Sequence, residues 1–120
     1  EFLKHYPGHL IYSYHTHIQN ANLNHKPLPP SREDFYADKL FRGRAKEKGK
    51  RVVSRLVEKN GVWQYSYNYQ RILPPMYLNK IILDEIEQGR TLNERVKRLI
   101  RCYKQFGVNN VRFYKKSMIR

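Results

Sequence analysis

The stretch RVVSRLVEKNGVWQYSYNYQR, residues 51–71, decides the fold. Two runs rich in β-branched and aromatic residues flank Asn60-Gly61, a dipeptide preferred in two-residue type I′ hairpin turns. With those two residues as the turn, Lys59 pairs with Val62. Val52, Ser54, Leu56 and Glu58 then share a face with Tyr69, Tyr67, Tyr65 and Trp63. The other face carries Arg51, Val53, Arg55 and Val57 beside Gln64, Ser66, Asn68 and Gln70. The hairpin is therefore aromatic on one side and polar and basic on the other.

Downstream, Pro74-Pro75 ends the strand and opens a helix over about 76–88. Leu78, Ile81, Ile82 and Ile86 give it one apolar stripe, and Gly89 is placed to cap it. Thr91 and Glu94 form a capping-box pattern at the start of a second helix, about 92–106, with a stripe of Leu92, Val96, Leu99, Ile100, Tyr103 and Phe106 closed by Gly107. Val108–Tyr114 reads as a last strand, Val111 and Phe113 on one face and Arg112 on the other. The basic tail after it is expected to fray.

Upstream, residues 9–18 alternate as a strand, with Leu10, Tyr12, Tyr14, Thr16 and Ile18 on one side. Residues 19–30, rich in Asn and Pro, read as an extended connector. Ser31 and Asp34 resemble a capping box for a short helix over about 32–42 that would bury Tyr36 and Leu40. The densest run of positive charge, 42–51, is punctuated by Gly43 and Gly49 and is expected to stay mobile until a partner binds it. The sum is an α+β domain spanning 1–120: a small antiparallel sheet with a central hairpin, packed against two helices and extended by basic arms.

Composition bounds the function. In 120 residues there are 24 Lys plus Arg against 10 Asp plus Glu, a net charge of +14. With 40% hydrophobic residues the chain can build a core, which separates it from disordered polycations. No apolar run approaches the roughly 18 residues of a membrane-spanning helix. The single cysteine, Cys102, leaves no internal disulfide and no Cys-based zinc site. The first residue is Glu1, which reads as an incomplete, processed or cloning-derived end. Such an excess of cations calls for an acidic partner, and interleaved tyrosines favour RNA.

Catalytic and metal readings are weaker. His15 and His17 share a strand face, yet two ligands do not make a tight metal site. Surface or RNA-contacting histidines are the better reading. Glu33, Asp34 and Asp38, then Asp84, Glu85 and Glu87, cluster as a divalent-cation site would, but each group also suits helix-start and i,i+4 pairing roles. Cys102 has no nucleophile motif around it. Gly43 and Gly49 lack phosphate-loop spacing. No catalytic residue, metal or cofactor is implied.

The cations fall into three groups: Arg42, Arg44, Lys46, Lys48, Lys50 and Arg51 in the basic run, with Arg55 beyond; Lys97, Arg98, Arg101 and Lys104 on the second helix; Arg112, Lys115 and Lys116 near the C-terminus. Lys97, Arg101 and Lys104 lie opposite that helix's apolar stripe, with Glu94 as the one acid among them. Trp63, Tyr65, Tyr67 and Tyr69 read as the sheet's inner face beneath the two helices, with base stacking as the rival. The aromatic strand lacks the RNA-recognition-motif consensus. These features lead to a non-catalytic RNA-binding component of a large ribonucleoprotein, an organellar (mitochondrial) ribosomal protein by composition. Its partners would be rRNA phosphates and neighbouring proteins, and its setting intracellular. The alternatives are a microtubule-associated or luminal protein binding an acidic polymer, a small ribonuclease, and a DNA-binding module.

Overall fold

Seven elements make up the computed structural model, which describes residues 10–16, 26–65, 74–108 and 110–116. In chain order they are β1 (Leu10–Thr16), α1 (Arg32–Glu47), β2 (Arg51–Glu58), β3 (Gly61–Tyr65), α2 (Leu78–Gln88), α3 (Leu92–Gln105) and β4 (Val111–Lys115). The strands form one four-stranded sheet in the order β1-β2-β3-β4. The fold is α+β.

The sheet is mixed, where an antiparallel one was expected. β2, β3 and β4 are antiparallel neighbours, but β1 pairs parallel with β2, Leu10 opposite Arg51 and Thr16 opposite Val57. A parallel pair needs a crossover, and α1 supplies it. The hairpin also differs from expectation by two residues. Glu58 is opposite Gly61, so Lys59 and Asn60 form the turn, and Ser54 meets Tyr65 instead of Tyr67. A two-residue slip preserves every face because side chains alternate with period two. Trp63 and Tyr65 are fully buried, as the inner-face reading requires; Tyr67 and Tyr69 lie outside the described residues.

α1 corrects the expectation in length and phase. It runs to Glu47, so the segment 42–51 is not a free arm: it comprises the helix's C-terminal end, a tight turn through Gly49 (φ 68°) and the first residue of β2. Two contacts hold that extension. Arg42 pairs with Asp38 one turn earlier at 3.3 Å, and Ala45 is buried against Ile11 and Val52. The Ser31–Asp34 box forms in both directions and sets the phase. Phe35 and Asp38 consequently face the sheet, while Tyr36 and Leu40 point to solvent. At α3, Thr91 Oγ accepts from the Glu94 amide at 3.1 Å, one half of the expected box.

All three helices cover one face of the sheet. Phe35, Leu56, Trp63, Tyr65, Leu78, Leu99 and Tyr103 are the fully buried centre of the main core. Phe35 stands edge-on to Tyr65 and to Tyr103, each with centroids 5.4 Å apart, and Trp63 stands edge-on to Tyr103 at 6.3 Å. Such pairs contribute about 0.5–1.5 kcal/mol each beyond the area they bury. Tyr103 donates to the Pro30 carbonyl at 2.6 Å, tying the connector to the core.

Burial holds the Tyr65 and Tyr103 phenols well above their ordinary ionisation range, with nearby Asp34 adding to the effect at both. The folded protein therefore keeps two protons that the unfolded chain releases above about pH 10. Stability should be unaffected by these groups below that pH and fall as pH rises beyond it. Melting temperatures taken from pH 8 to 11 check this: Tyr103→Phe should flatten the alkaline decline, and an unchanged decline would refute the assignment.

Candidate nucleic-acid interface

Alternation along four strands leaves the second face of the sheet uncovered by the described helices. It presents Leu10, Tyr12, Tyr14 and Thr16 from β1; Arg51, Val53, Arg55 and Val57 from β2; Val62 and Gln64 from β3; and Arg112 and Tyr114 from β4. Among these described residues there are three arginines and no carboxylate. Tyr12 and Tyr14 are 45% and 57% exposed. Opposite residues in register form one row crossing the whole sheet: Tyr14, Arg55, Gln64, Arg112.

Arg55 organises that row. Its Nε donates to Gln64 Oε1 at 2.9 Å and its Nη1 to the Tyr14 hydroxyl at 2.6 Å. Its guanidinium carbon lies 4.2 Å from the Tyr12 ring centroid and 5.6 Å from that of Tyr14. A cation over two aromatic rings with donors left over is a surface made for planar, electron-rich or anionic groups.

The other predicted cations divide between separate surfaces. Lys97, Arg101 and Lys104 are exposed on α3, pointing away from the core and hence away from the open sheet face. Arg98, expected beside them, instead pairs with Glu85 at 2.8 Å and bonds Gln88. Arg42 is engaged by Asp38, whereas Arg44, Lys46 and Lys48 are exposed near the end of α1. Lys50 and Lys115 are half-buried; Arg51, Arg112 and Lys116 are exposed. Tyr12 and Tyr14 were visible in the sequence as one side of a strand. Their placement beside Arg55 depends on the β1–β2 pairing.

No family model, curated protein or solved structure matches the chain. Its function therefore rests on site chemistry.

Among the described residues, the histidine and carboxylate clusters converge in one place. Ser13, His15, Asp34, Asp38, Ser54 and Tyr65 line a cavity of about 280 Å³ between the sheet and α1. His15 Nε2 is 3.0 Å from Asp34 Oδ1. The carboxylates have structural tasks: Asp34 Oδ2 accepts from the Ser31 amide at 2.8 Å, and Asp38 holds Arg42 and the Ser54 hydroxyl, the latter at 2.5 Å. Arg42, the cation in this group, is neutralised by Asp38, and a pocket with two carboxylates repels a phosphate backbone. His17 lies outside the described residues. No group of three or more His, Cys, Asp or Glu among the described residues could hold a metal ion.

The second acidic cluster serves ion pairs, Glu85 with Arg98 and Glu87 with Lys26 at 2.9 Å. Cys102 is buried, and desolvation pushes its thiol up to about 11. The thiolate that would act as a nucleophile is thus scarce at neutral pH. None of the helices among the described residues is long and apolar enough to cross a membrane.

Proposed function

We propose that this protein is a non-catalytic RNA-binding component of a large ribonucleoprotein, as an organellar ribosomal protein would be. The observation that carries the reading is the open sheet face: rings and arginines together, with no carboxylate among its described residues. The α3 cations face the opposite way. A single small ligand would engage one surface. A folded RNA enclosing the protein engages both, with Lys97, Arg101 and Lys104 neutralising phosphates on one side and Arg51, Arg55 and Arg112 on the other.

An acidic protein polymer matches the charge equally, but gains little from exposed tyrosine rings stacked with arginine. DNA reading by α3 is disfavoured by where its charge sits. The helix begins Leu92-Asn93-Glu94, and its exposed cations lie toward the C-terminal half, whereas a recognition helix leads with its N-terminal residues. The His15–Asp34 pair favours a ribonuclease as the second reading.

The test is RNA binding by anisotropy from 50 to 300 mM salt, with the RNA recovered afterwards. The parent protein should bind with a steep salt dependence and return the RNA intact, with Mg²⁺ or with EDTA. Replacing Lys97, Arg101 and Lys104 with alanine should lower the slope of log K against log salt by about 2–3, each phosphate contact contributing about 0.7–0.9. An unchanged slope removes α3 from the interface. RNA cleaved in EDTA, and spared by His15→Ala, would establish the ribonuclease instead.

A further inference from the structure

We propose that the open sheet face is a platform for unpaired bases of a single RNA strand. One base stacks on Tyr14, the next on the Tyr12–Arg55 pair, and Arg112 takes a backbone phosphate. The platform presupposes the RNA-binding reading above and gives it a substrate class, single strands or unpaired loops as opposed to duplex.

Three observations converge on it. Tyr12 and Tyr14 sit two residues apart on one strand face, about 6.6–6.8 Å along the strand. That spacing suits successive bases of an extended, unstacked strand. Both rings are exposed without being part of the core clusters, so their positions contribute little to the fold.

Arg55 already lies over Tyr12 at 4.2 Å, and its bonds to Gln64 and Tyr14 fix the guanidinium plane. Base stacking on arginine planes as well as on rings is a recurrent mode of single-strand recognition. Only Nε and Nη1 are engaged in those bonds, which leaves Nη2 to meet a base edge or a phosphate.

Arg112 lies two strand spacings from Arg55 in the same row, about 9–10 Å away, with Gln64 between them. The row thus places stacking groups at one end and an exposed cation at the other. A duplex keeps its bases inside the helix and cannot reach the rings, so it would touch this face through phosphates alone.

The experiment compares labelled 12-nucleotide oligouridine, 12-nucleotide oligoadenosine and a 12-base-pair RNA duplex. Each is titrated against the parent protein, Tyr12→Ala/Tyr14→Ala, and Tyr12→Phe/Tyr14→Phe, with melting temperatures recorded for all three proteins. The alanine variant should lose about 30-fold or more in single-strand affinity, the lower end for two stacked bases. Its duplex affinity should stay within about threefold, since phosphate contacts remain. The phenylalanine variant should keep most single-strand affinity, because the rings carry the stack and Gln64 still holds Arg55 once the Tyr14 hydroxyl is gone.

Parent-like single-strand affinity in a folded alanine variant overturns the platform while leaving RNA binding by the cations intact. Binding displaced by poly-L-glutamate and insensitive to ring removal overturns it in favour of an acidic protein partner. A parent protein that binds none of the three RNAs overturns the RNA-binding reading itself, and the platform with it.

Discussion

Gly61→Ala is expected to destabilise the protein by about 3–5 kcal/mol, combining backbone strain with overpacking. Gly61 opens β3 directly after the hairpin turn with φ at 156°, a conformation L side chains rarely adopt. A Cβ there would lie 2.1 Å from the Tyr114 carbonyl oxygen and 2.8 Å from Phe113 Cζ. The oxygen is backbone of the neighbouring strand and has no rotamer to yield, so β4 must move. The expected loss is a large share of a small domain's total stability. Gly43→Ala is the control: the position is helical, nothing lies within 4 Å of the added atom, and alanine should stabilise it by about 0.5–1 kcal/mol. Urea denaturation of both variants checks the pair. Equal midpoints would show that the turn accommodates a side chain and that the tight β3–β4 approach is wrong.

Glu58→Ala should cost about 3–5 kcal/mol, the loss of its hydrogen bonds being offset in part because a buried polar side chain no longer has to be desolvated. The Glu58 carboxylate is buried at the end of β2 and gathers three separate parts of the chain. Its Oε2 accepts from the Leu28 amide at 2.6 Å and the Trp63 indole at 2.8 Å; its Oε1 accepts from Asn60 Nδ2 at 3.0 Å. Truncation leaves the buried indole N–H without this acceptor and releases the connector from the hairpin, each lost bond to a charged group being worth about 1.5–3 kcal/mol. Glu58→Gln retains an acceptor oxygen and should lose less. Denaturation midpoints together with Trp63 emission read the effect. Parent-like stability in the alanine variant would show that water replaces the carboxylate at no net loss.

These two residues show where sequence reading stops. The faces of the hairpin follow from alternation alone, and α2 and α3 follow from stripes such as Leu78–Ile82–Ile86, because both signals are local. The turn is decided otherwise. Asn60-Gly61 has the stronger local turn preference, yet Gly61 is needed where the backbone of β4 passes, and that approach is long-range. Alternation placed Glu58 on the aromatic face beside Trp63, but the Leu28 amide that helps to hold its carboxylate comes from a connector thirty residues away. The phase of α1 escaped for a related reason: Asp38 is buried because Arg42 and Ser54 meet its carboxylate, so polarity was a poor guide to its orientation.

Of the candidate site, the basic half was legible and the aromatic half was not. Arg51, Arg55 and Arg112 could be assigned to an outward face from the hairpin and last strand. Tyr12 and Tyr14 were visible as one side of a strand, but that strand's neighbour is encoded nowhere near it. Conversely, Arg98 was grouped with free cations by helical spacing, and only the packing of α2 against α3 brings Glu85 to it.

The parallel junction between β1 and β2 has a bearing on the order of assembly. The β2–β3 hairpin and the α2–α3 pair can form from adjacent stretches of chain, whereas Leu10–Thr16 must await the entire α1 crossover before it finds a neighbour, and β4 must return over a longer span still to reach β3. During synthesis Leu10–Thr16 emerges before Arg51–Glu58 and docks only after that strand exists. The two tyrosines and the arginine they embrace sit on opposite sides of that seam, so a partly folded chain with only the β2–β3 hairpin and the α2–α3 pair in place would still lack the combined ring-and-arginine surface proposed to meet RNA.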